Sequence, residues 1–283
     1  MQIITLTTDT GLQDYYVAAI KGALYKDIPL AHIIDITHSI KPFDIANAAF
    51  QVRSCYKDFP NGTIHIIGVD SEPILFGETK SYPTILECDG HYFICNDNGF
   101  FGAFLDNRQF EALYRFKDVF ENPEMLQFTT KNCFVPLAAK ISQNIAFESY
   151  TEKIDVYKKA FIKTPTIEQY RINGAVIHID AFGNLITNIT KADFNRFGEN
   201  IPFIIKFLDG VYYIDKISKT YNDVPNGERV ALFNSTNHLE IAINRGVNGG
   251  TGGAEKMFGM RVDYIVQVLF EPAGSHSDFN SLM

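Results

Sequence analysis

Short apolar runs alternate with longer amphipathic stretches through the first 70 residues, and this alternation constrains the fold more than any other feature. The pattern predicts strands at residues 3–8, 30–37 and 62–69, and helices at residues 14–26 and 44–59. Strands that alternate with helices are typical of parallel βαβ units, which bind ligands at the carboxyl ends of their strands. We therefore expect an N-terminal α/β domain with a largely parallel sheet.

The rest of the chain carries different signals. Residues 83–97 predict a β-hairpin that turns at Asp89-Gly90, and residues 135–144 predict another helix. We interpret the stretch 162–169 as a link, because it contains a proline and has little periodicity. Beyond it, short strands with turn residues are typical of a small sandwich or barrel. The sequence thus predicts an α/β domain at residues 1–163, an all-β, barrel-like domain at 170–271 and a flexible tail at 272–283.

The composition narrows the range of partners and compartments. A formal net charge of −8 argues against a nucleic acid as the main partner, because phosphate binding needs a basic surface. No apolar run is long enough to cross a membrane, and the first residues lack the basic and apolar regions of a signal peptide. The four cysteines are scattered without a CxxC pair, so we expect reduced thiols and a cytoplasmic protein.

Three aspartates follow predicted strands. Asp9 and Asp14 come after the first strand, where Asp14 is a possible helix cap and Asp9 a simple strand end. The alternative is that they face a ligand, since an ionised carboxylate can accept hydrogen bonds from both hydroxyls of a ribose. Asp70 ends the third strand and is either a turn residue or a carboxylate that orients or deprotonates water.

The run at residues 179–189 is the most informative part of the second half. Asp180 and Asn184 bracket an aromatic residue, Phe182, and a glycine that permits a sharp turn. The amide of Asn184 offers both a donor and an acceptor, which suits the edge of an adenine, although a plain β-turn explains the run equally well. The glycines between residues 246 and 253 either bring backbone amides to a ligand or form a flexible loop.

Motifs of several large enzyme classes are missing. The chain has no Walker A sequence, no HExxH, no GxSxG and no GxGxxG after its first predicted strand. The seven histidines show no metal-binding spacing, and only His38 lies near a candidate residue. We therefore expect neither a metal nor a bound cofactor.

Five runs, in this order, resemble the S-adenosylmethionine hydroxide adenosyltransferases, a family related to fluorinase and chlorinase. They are TTDTGLQDYYVAAIKG, IDITHSIKPFDIANAAF, GHYFICNDNGFF, IDAFGNLITNI and NSTNHLEIAINRG, and the resemblance covers about residues 1–270. It implies an N-terminal α/β domain and a C-terminal β-barrel, assembled as a homotrimer with each site between neighbouring subunits. It also implies the reaction, in which water or hydroxide attacks C5′ of S-adenosylmethionine and releases adenosine and L-methionine.

The resemblance implies roles for residues in the first domain. Asp9 looks like the family aspartate that holds the ribose diol, and Asp14 resembles the acid near the methionine end of the ligand. Phe43 stands where relatives place an aromatic side chain beside the nucleoside. The ligand is thus expected to be the substrate S-adenosylmethionine itself, with no separate cofactor.

The resemblance also implies roles for residues in the second domain. Asp180 and Ser235 match positions around the amino-acid end of the ligand, and Asn184 matches the residue at the adenine edge. Tyr221 matches an aromatic side chain that stacks on adenine. Arg245 falls where a backbone group contacts the base.

The chain departs from the hydrolases of this family around the attacking water. Asp70 is kept, but the family arginine aligns with about Ser81 and the family histidine with Thr129. Lys80 and Lys131 are the nearby cations in the sequence, so we predict a catalytic set of Asp70, Lys80 and Lys131, although neither lysine reproduces a planar guanidinium. Two alternatives remain open: a protein that binds S-adenosylmethionine or adenosine without turnover, and a halide-dependent adenosyl transfer.

Overall fold

The computed structural model describes residues 1–116, 123–198, 201–247 and 252–271. The chain divides into two compact units, Met1–Ile162 and Lys163–Met283, which are described separately below. The predicted tail at residues 272–283 lies outside the described residues. In the part of the chain that the structure describes, none of the helices is both long and apolar enough to cross a membrane.

The first unit is built on a mixed seven-stranded sheet with the strand order β2-β1-β3-β5-β4-β6-β7. Neighbouring strands are parallel from β2 through β1 and β3 to β5, and antiparallel from β5 to β7. The strands are β1 (Ile3–Thr8), β2 (His32–Thr37), β3 (Ile64–Gly68), β4 (Pro83–Cys88), β5 (His91–Asn96), β6 (Ala112–Phe116) and β7 (Thr151–Lys153). The carboxyl ends of β1, β2 and β3 therefore lie side by side, as the βαβ pattern predicts.

Helices cover both faces of this sheet. They are α1 (Tyr16–Asp27), α2 (Ile45–Cys55), α3 (Phe100–Leu105) and α4 (Val135–Ser142), and a π-helical turn at Thr130–Phe134 precedes α4. Successive side chains of β3 point to opposite faces of the sheet and belong to two hydrophobic cores. Ile66 packs with α1 and α4, whereas Ile67 packs with α2 and α3. Burial on both faces explains why β1 and β3 contain no Asp, Glu, Lys or Arg.

The second unit is an antiparallel, nearly closed, barrel-shaped sheet with the order β12-β11-β15-β9-β10-β14-β13, and β8 pairs with β9. An isolated bridge between Ile217 and Ala231 ties the chain after β12 to β13, which brings the two edges of the sheet together. The strands are β8 (Thr166–Glu168), β9 (Arg171–Ile179), β10 (Leu185–Thr190), β11 (Phe203–Phe207), β12 (Tyr212–Ile214), β13 (Arg229–Phe233), β14 (His238–Ile243) and β15 (Ile265–Phe270), with short helices α5 (Lys191–Asn195) and α6 (Ala254–Phe258).

Two local expectations differ from the structure. Helix α1 begins at Tyr16, and its N-cap, Tyr15, makes no capping hydrogen bond through its side chain, so Asp14 does not cap this helix. The stretch 162–169 is not purely a link, because β8 forms within it and pairs with β9 through Ile167 and Ile172. The single proline there does not interrupt this pairing, since Pro165 precedes the strand.

Candidate functional site

Asp9 stands directly after β1 and binds the backbone of two neighbouring loops. Its Oδ2 atom accepts a hydrogen bond from the backbone nitrogen of Phe43 at 3.0 Å and another from that of Asp70 at 3.3 Å. These residues follow β2 and β3, so one carboxylate joins the ends of three adjacent strands. Among the described residues, no donor faces the Oδ1 atom of Asp9, which leaves this oxygen free to accept hydrogen bonds from a ligand.

The two residues that bind Asp9 have unusual backbone conformations. The φ angle is 67° at Phe43 and 45° at Asp70, in the left-handed region that side chains other than glycine rarely adopt. Such conformations persist where surrounding contacts hold them, and they are frequent at functional sites. The hydrogen bonds to Asp9 hold both here, and the Phe43 side chain remains 70% exposed.

The Asp70 carboxyl group is half-buried and its pKa is shifted. Burial raises the pKa of Asp70, and the negative charges of Asp9 and Glu72 raise it further, while the positive charge of Lys158 lowers it. The Asn98 side chain fixes the same loop, because its amide nitrogen donates to the carbonyl oxygen of Asp70 at 2.8 Å. A carboxylate with a raised pKa at the edge of a ligand crevice is suited to accept a proton from water.

Lys158 is the cation that acts on Asp70, and the sequence analysis did not identify it. Its backbone nitrogen donates to both oxygens of Asp97 at 2.9 and 3.1 Å, directly beside Asn98. The same segment lies close against α3, where a Cβ added at Gly102 would lie 2.6 Å from the nitrogen of Ala160. Gly102 thus permits the close approach that brings Lys158 to this edge of the sheet.

The two residues that the sequence analysis aligned with the family arginine and histidine, Ser81 and Thr129, are both buried. Ser81 accepts hydrogen bonds from the backbone of Ile74 at 2.9 Å and from the Asn96 amide at 3.0 Å, which closes the loop after Asp70. The Thr129 hydroxyl donates to the carbonyl oxygen of Leu126 at 3.3 Å. Both hydroxyls therefore stabilise local structure.

The two lysines predicted to act with Asp70 lie elsewhere in the first unit. The Lys80 side chain is exposed on the loop that precedes β4. Lys131 donates to the side chain of Asn132 at 3.2 Å and lines a groove beside Lys26 at the end of α1. Neither lysine is among the charges that shift the pKa of Asp70, and their catalytic role stays a prediction.

His38 anchors the loop that carries Asp9. Its Nδ1 atom lies 2.8 Å from the Thr8 hydroxyl, and its carbonyl oxygen accepts a hydrogen bond from Gly11 at 2.9 Å. Its Nε2 atom lies 3.1 Å from Asp35, whose pKa is lowered because hydrogen bonds from Lys21 and His38 outweigh the opposing effect of burial. Asp14, farther along the loop, is exposed.

In the second unit, Asp180 and Asn184 form a tight turn between β9 and β10. Asp180 Oδ1 accepts hydrogen bonds from the backbone nitrogens of Phe182 and Asn184, each at 2.9 Å, and Oδ2 accepts one from the Asn184 amide at 3.1 Å. Gly183 takes the left-handed conformation with a φ angle of 82°. The turn leaves the Phe182 ring exposed beside the buried Asn184 side chain.

A buried carboxylate, Glu240 on β14, lies at the centre of this region and was not identified from the sequence. Glu240 is 3% exposed and accepts hydrogen bonds from the Tyr221 hydroxyl at 2.6 Å and the Asn234 amide at 3.2 Å. Burial raises the pKa of Glu240, and nearby Asp180 raises it further, while hydrogen bonds from Tyr221, Asn234 and Asn184 lower it. We call these five residues, Asp180, Asn184, Tyr221, Asn234 and Glu240, the C-terminal cluster.

The remaining predicted residues of the second unit lie on turns. Ser235 is exposed in a turn that Asn234 holds by accepting hydrogen bonds from the backbone of Thr236 and His238 at 3.0 and 3.1 Å. Arg245 is exposed after β14 with a φ angle of 55°.

The glycine-rich run after Arg245 is only partly described. Gly249 and Gly250 lie outside the described residues, so their predicted contacts with a ligand stay untested. Farther along, Gly253 packs directly against the backbone of Phe182 and Gly183, and the backbone nitrogen of Glu255 donates to the Gly183 carbonyl oxygen at 2.9 Å. At this end, the run supports the turn of Asp180 and Asn184.

Within the described ranges, no three His, Cys, Asp or Glu side chains are grouped so that they could hold a metal ion. The described polar groups at the strand ends are carboxylates, amides and hydroxyls. Such groups can accept hydrogen bonds from sugar hydroxyls and amino groups, and the negative charge of the carboxylates attracts a cationic ligand.

Models of two protein domains match this sequence. Residues 4–151 match the SAM hydroxide adenosyltransferase N-terminal domain, and residues 174–267 match the SAM hydroxide adenosyltransferase C-terminal domain. Together the two matches span most of the chain.

Individual relatives agree with these matches. The (R)-S-adenosyl-L-methionine hydrolase of Methanocaldococcus jannaschii is 30% identical over 249 residues, covering 86% of this chain and 88% of the relative. The hydrolase of the same name from Thermus thermophilus is 25% identical, covering 87% and 93%. A fluorinase from an Actinoplanes species is 24% identical, covering 86% and 91%.

A solved structure shares the fold. The crystal structure of an uncharacterized conserved protein from Thermotoga maritima superposes with a TM-score of 0.81 at 24% identity, covering 95% of this chain and all of the other.

Proposed function

The chain belongs to the SAM hydroxide adenosyltransferase family, and on that premise we propose that it hydrolyses S-adenosyl-L-methionine to adenosine and L-methionine. One observation carries this proposal for the chain's own residues. The Asp70 carboxyl group, with its raised pKa, is held beside Asp9 at the carboxyl edge of the sheet. Asp70 is the residue of the water-activating set that this chain keeps.

We assign nucleoside and methionine contacts in the first unit. The free Oδ1 atom of Asp9 accepts hydrogen bonds from the ribose hydroxyls, since Oδ2 is occupied by backbone donors. The exposed ring of Phe43 packs beside the nucleoside, and the exposed carboxylate of Asp14 lies near the methionine end. The hydrogen bonds to Asp9 support these roles, because they keep the contacting residues in place before the substrate binds.

The second unit supplies the other contacts. Asn184 meets the adenine edge and Tyr221 stacks on the base. Asp180 and Ser235 lie around the amino-acid end of the ligand, and a backbone group at Arg245 contacts the base. The C-terminal cluster supports this assignment, because Asp180 holds the Asn184 side chain in place and its carboxylate favours the positive charge of the substrate.

The proposed reaction needs positioning more than acid catalysis. A water molecule donates a proton to Asp70 as its oxygen attacks C5′, the C5′–S bond breaks, and its electron pair stays on sulfur as methionine leaves. The leaving group needs no proton, because the sulfonium becomes a neutral thioether. In-line placement of the reactants can contribute roughly 7–11 kcal/mol. Lys158 supplies positive charge near Asp70.

We further propose that the protein acts as a homotrimer in the cytoplasm, with each site shared between neighbouring subunits. Exposed apolar side chains in the loops after β1, β2 and β3 support an assembly, namely Leu12, Tyr15, Phe43 and Phe76. Four free cysteines, three of them buried, support a reducing compartment. Light scattering should give three times the mass of one chain, and a monomer would contradict the shared site.

Binding without turnover is the second candidate function. It is favoured by the buried hydroxyls of Ser81 and Thr129, which stand where hydrolases of the family carry an arginine and a histidine. In this case Asp9 and the C-terminal cluster would bind S-adenosylmethionine or adenosine, and Asp70 would serve only to hold its loop.

Product analysis separates these candidates. The purified protein is incubated with S-adenosylmethionine, with and without chloride, and products are followed by chromatography while binding is measured by calorimetry. We expect adenosine and methionine in equal amounts, independent of chloride. Binding without product would establish the second candidate, and a 5′-halogenated nucleoside would establish halide-dependent transfer.

A further inference from the structure

The peptide groups on both sides of Asp70 are held by side chains. Asn98 follows β5, and its amide nitrogen donates to the carbonyl oxygens of Val69 at 3.1 Å and Asp70 at 2.8 Å. Asp9 accepts a hydrogen bond from the backbone nitrogen of Asp70 at 3.3 Å. The peptide before Asp70 is therefore bound at both ends, and the peptide after it is bound through its carbonyl oxygen. Because peptide groups are planar, fixing these two planes fixes the φ and ψ angles of Asp70.

Asp9 alone does not determine this conformation. It binds the peptide before Asp70, whereas the ψ angle depends on the peptide that follows. Among the described residues, Asn98 is the group that donates to the Asp70 carbonyl oxygen. The Thr130 hydroxyl also reaches this loop, but it bonds to the side chain of Ser71 at 3.0 Å and to neither peptide group. Removing the Asn98 amide therefore releases the ψ angle of Asp70, even though the bond to Asp9 remains.

The hydrogen bonds of the Asn98 side chain allow one orientation of its amide. Its nitrogen carries two N–H donors and contacts two carbonyl oxygens. Its oxygen accepts a hydrogen bond from the backbone nitrogen of Phe100 at 3.1 Å, at the start of α3. A reversed amide would place an oxygen against two carbonyl oxygens and an N–H against another N–H. Phe100 is 1% exposed, so the amide is anchored to a buried part of the first unit.

We propose that Asn98 is a positioning residue, which holds Asp70 in its left-handed conformation and thereby directs the Asp70 carboxyl group. A φ angle of 45° is unfavourable for an aspartate unless surrounding contacts hold it. A return to the right-handed or extended region would rotate the Cα–Cβ bond and move the carboxyl group from its present place. The proposal rests on the proposed function, because it takes this carboxyl group to act on the attacking water.

Amide hydrogen exchange, measured by NMR, tests the backbone role without requiring turnover. Asn98→Ala removes both N–H donors from the loop. The backbone amide of Asp70 should then exchange at least about tenfold faster than in the wild type, because its bond to Asp9 opens more often. Circular dichroism and thermal melting establish whether the variant folds.

Asn188 in the second unit provides a matched control. Its amide nitrogen donates to the carbonyl oxygen of Lys163 at 2.6 Å, and its oxygen accepts a hydrogen bond from the backbone nitrogen of Ala175 at 2.8 Å. Asn188→Ala therefore removes bonds of the same kind as Asn98→Ala. It should leave the exchange of the Asp70 amide and kcat at their wild-type values.

Kinetics and calorimetry test the consequence for the reaction. In Asn98→Ala, kcat for hydrolysis of S-adenosylmethionine should fall about 10- to 100-fold, because a displaced Asp70 no longer meets the water in line with C5′. The affinity for adenosine should stay within about threefold of the wild type, because Phe43 still donates to Asp9. If Asn98→Ala does not fold, Asn98→Ser, whose hydroxyl keeps one donor, should show the same changes to a smaller extent.

The proposal is overturned if a folded Asn98 variant exchanges the Asp70 amide at the wild-type rate, or if its kcat is unchanged despite faster exchange. An equal loss of kcat in Asn188→Ala would also overturn it, because the effect would then be general damage. A failure of the proposed function gives a different result. A wild type that forms no adenosine would refute hydrolysis, while the exchange rates would still decide whether Asn98 holds the backbone of Asp70.

Discussion

The Oδ2 atom of Asp9 lies 3.3 Å from the backbone nitrogen of Asp70. The carboxylate assigned to the ribose therefore also holds the residue assigned to the attacking water. A change at Asp9 acts in two ways, through the ligand and through the loop after β3. The predictions below separate these two effects.

Replacing Asp9 separates ligand contact from loop support. Asp9→Asn keeps an oxygen for the backbone donors of Phe43 and Asp70, but directs an amide nitrogen, instead of Oδ1, at the ribose. We expect adenosine binding to weaken by about 2 kcal/mol, roughly 30-fold, because two ligand hydroxyls lose their acceptor. Calorimetry should show this loss with an unchanged melting temperature, whereas Asp9→Ala should lower both. Unchanged affinity in Asp9→Asn would refute the ribose assignment.

The pH dependence of turnover reports on Asp70. A general base acts in its ionised form, so kcat should fall as the pH drops through the pKa of Asp70, which burial and Asp9 raise above the ordinary range. Asp9→Asn removes one raising charge and should move this acid limb to lower pH. The measurement is kcat at saturating S-adenosylmethionine between pH 4 and 8. An acid limb at the same pH in the wild type and in Asp9→Asn would argue against an effect of the Asp9 charge on the pKa of Asp70.

Three lysine variants identify the cation that assists Asp70. Lys158→Met removes a positive charge that lowers the pKa of Asp70, so the acid limb should move to higher pH. Lys80→Met and Lys131→Met make the same substitution at the two lysines that the sequence analysis predicts to be catalytic. They should leave the acid limb at the wild-type pH. A shift with Lys80→Met or Lys131→Met but not with Lys158→Met would restore the sequence-based assignment.

Stability should depend on pH through His65, which is fully buried and bonds to the Thr5 hydroxyl at 2.7 Å. Burial, followed by the charge of His91, lowers the pKa of His65 from 6.5 to about 3. The unfolded chain therefore binds a proton more readily than the folded chain between these values. The free energy of unfolding should decrease by up to about 1.4 kcal/mol for each pH unit below 6.5.

Urea unfolding at pH 7 and pH 5 measures this dependence. His65→Gln, which can still bond to Thr5 but does not titrate, is the matched comparison and should lose less stability on acidification. An equal loss in both proteins would assign the dependence to other groups, such as His91, whose pKa burial also lowers.

Much of the fold follows from local sequence. The hairpin turns at Asp89 and Gly90, which both take positive φ angles of 52° and 74°, as an Asp-Gly turn requires. The alternation of strands and helices places Asp9 and Asp70 at neighbouring strand ends, because carboxyl ends of parallel strands meet at one edge. These features depend on residues close together in the chain.

The residues that were missed depend on distant partners. Glu240 is a charged residue within an otherwise apolar strand, and the sequence pattern alone predicts that its side chain faces solvent. Its burial is explained only by Tyr221 and Asn234, which the fold brings to it. Lys158 reaches the edge of the first sheet because Gly102 lets its segment approach α3, and no motif marks that contact.

The central claim is that Asp70 directs water to C5′ of the substrate. Turnover of S-adenosylmethionine in water enriched in oxygen-18, followed by mass spectrometry of both products, tests it most directly. We predict one heavy oxygen in the 5′-hydroxyl of adenosine and none in methionine, with the labelled product lost in Asp70→Asn. Adenosine without label, or labelled adenosine formed at the wild-type rate by Asp70→Asn, would contradict the account.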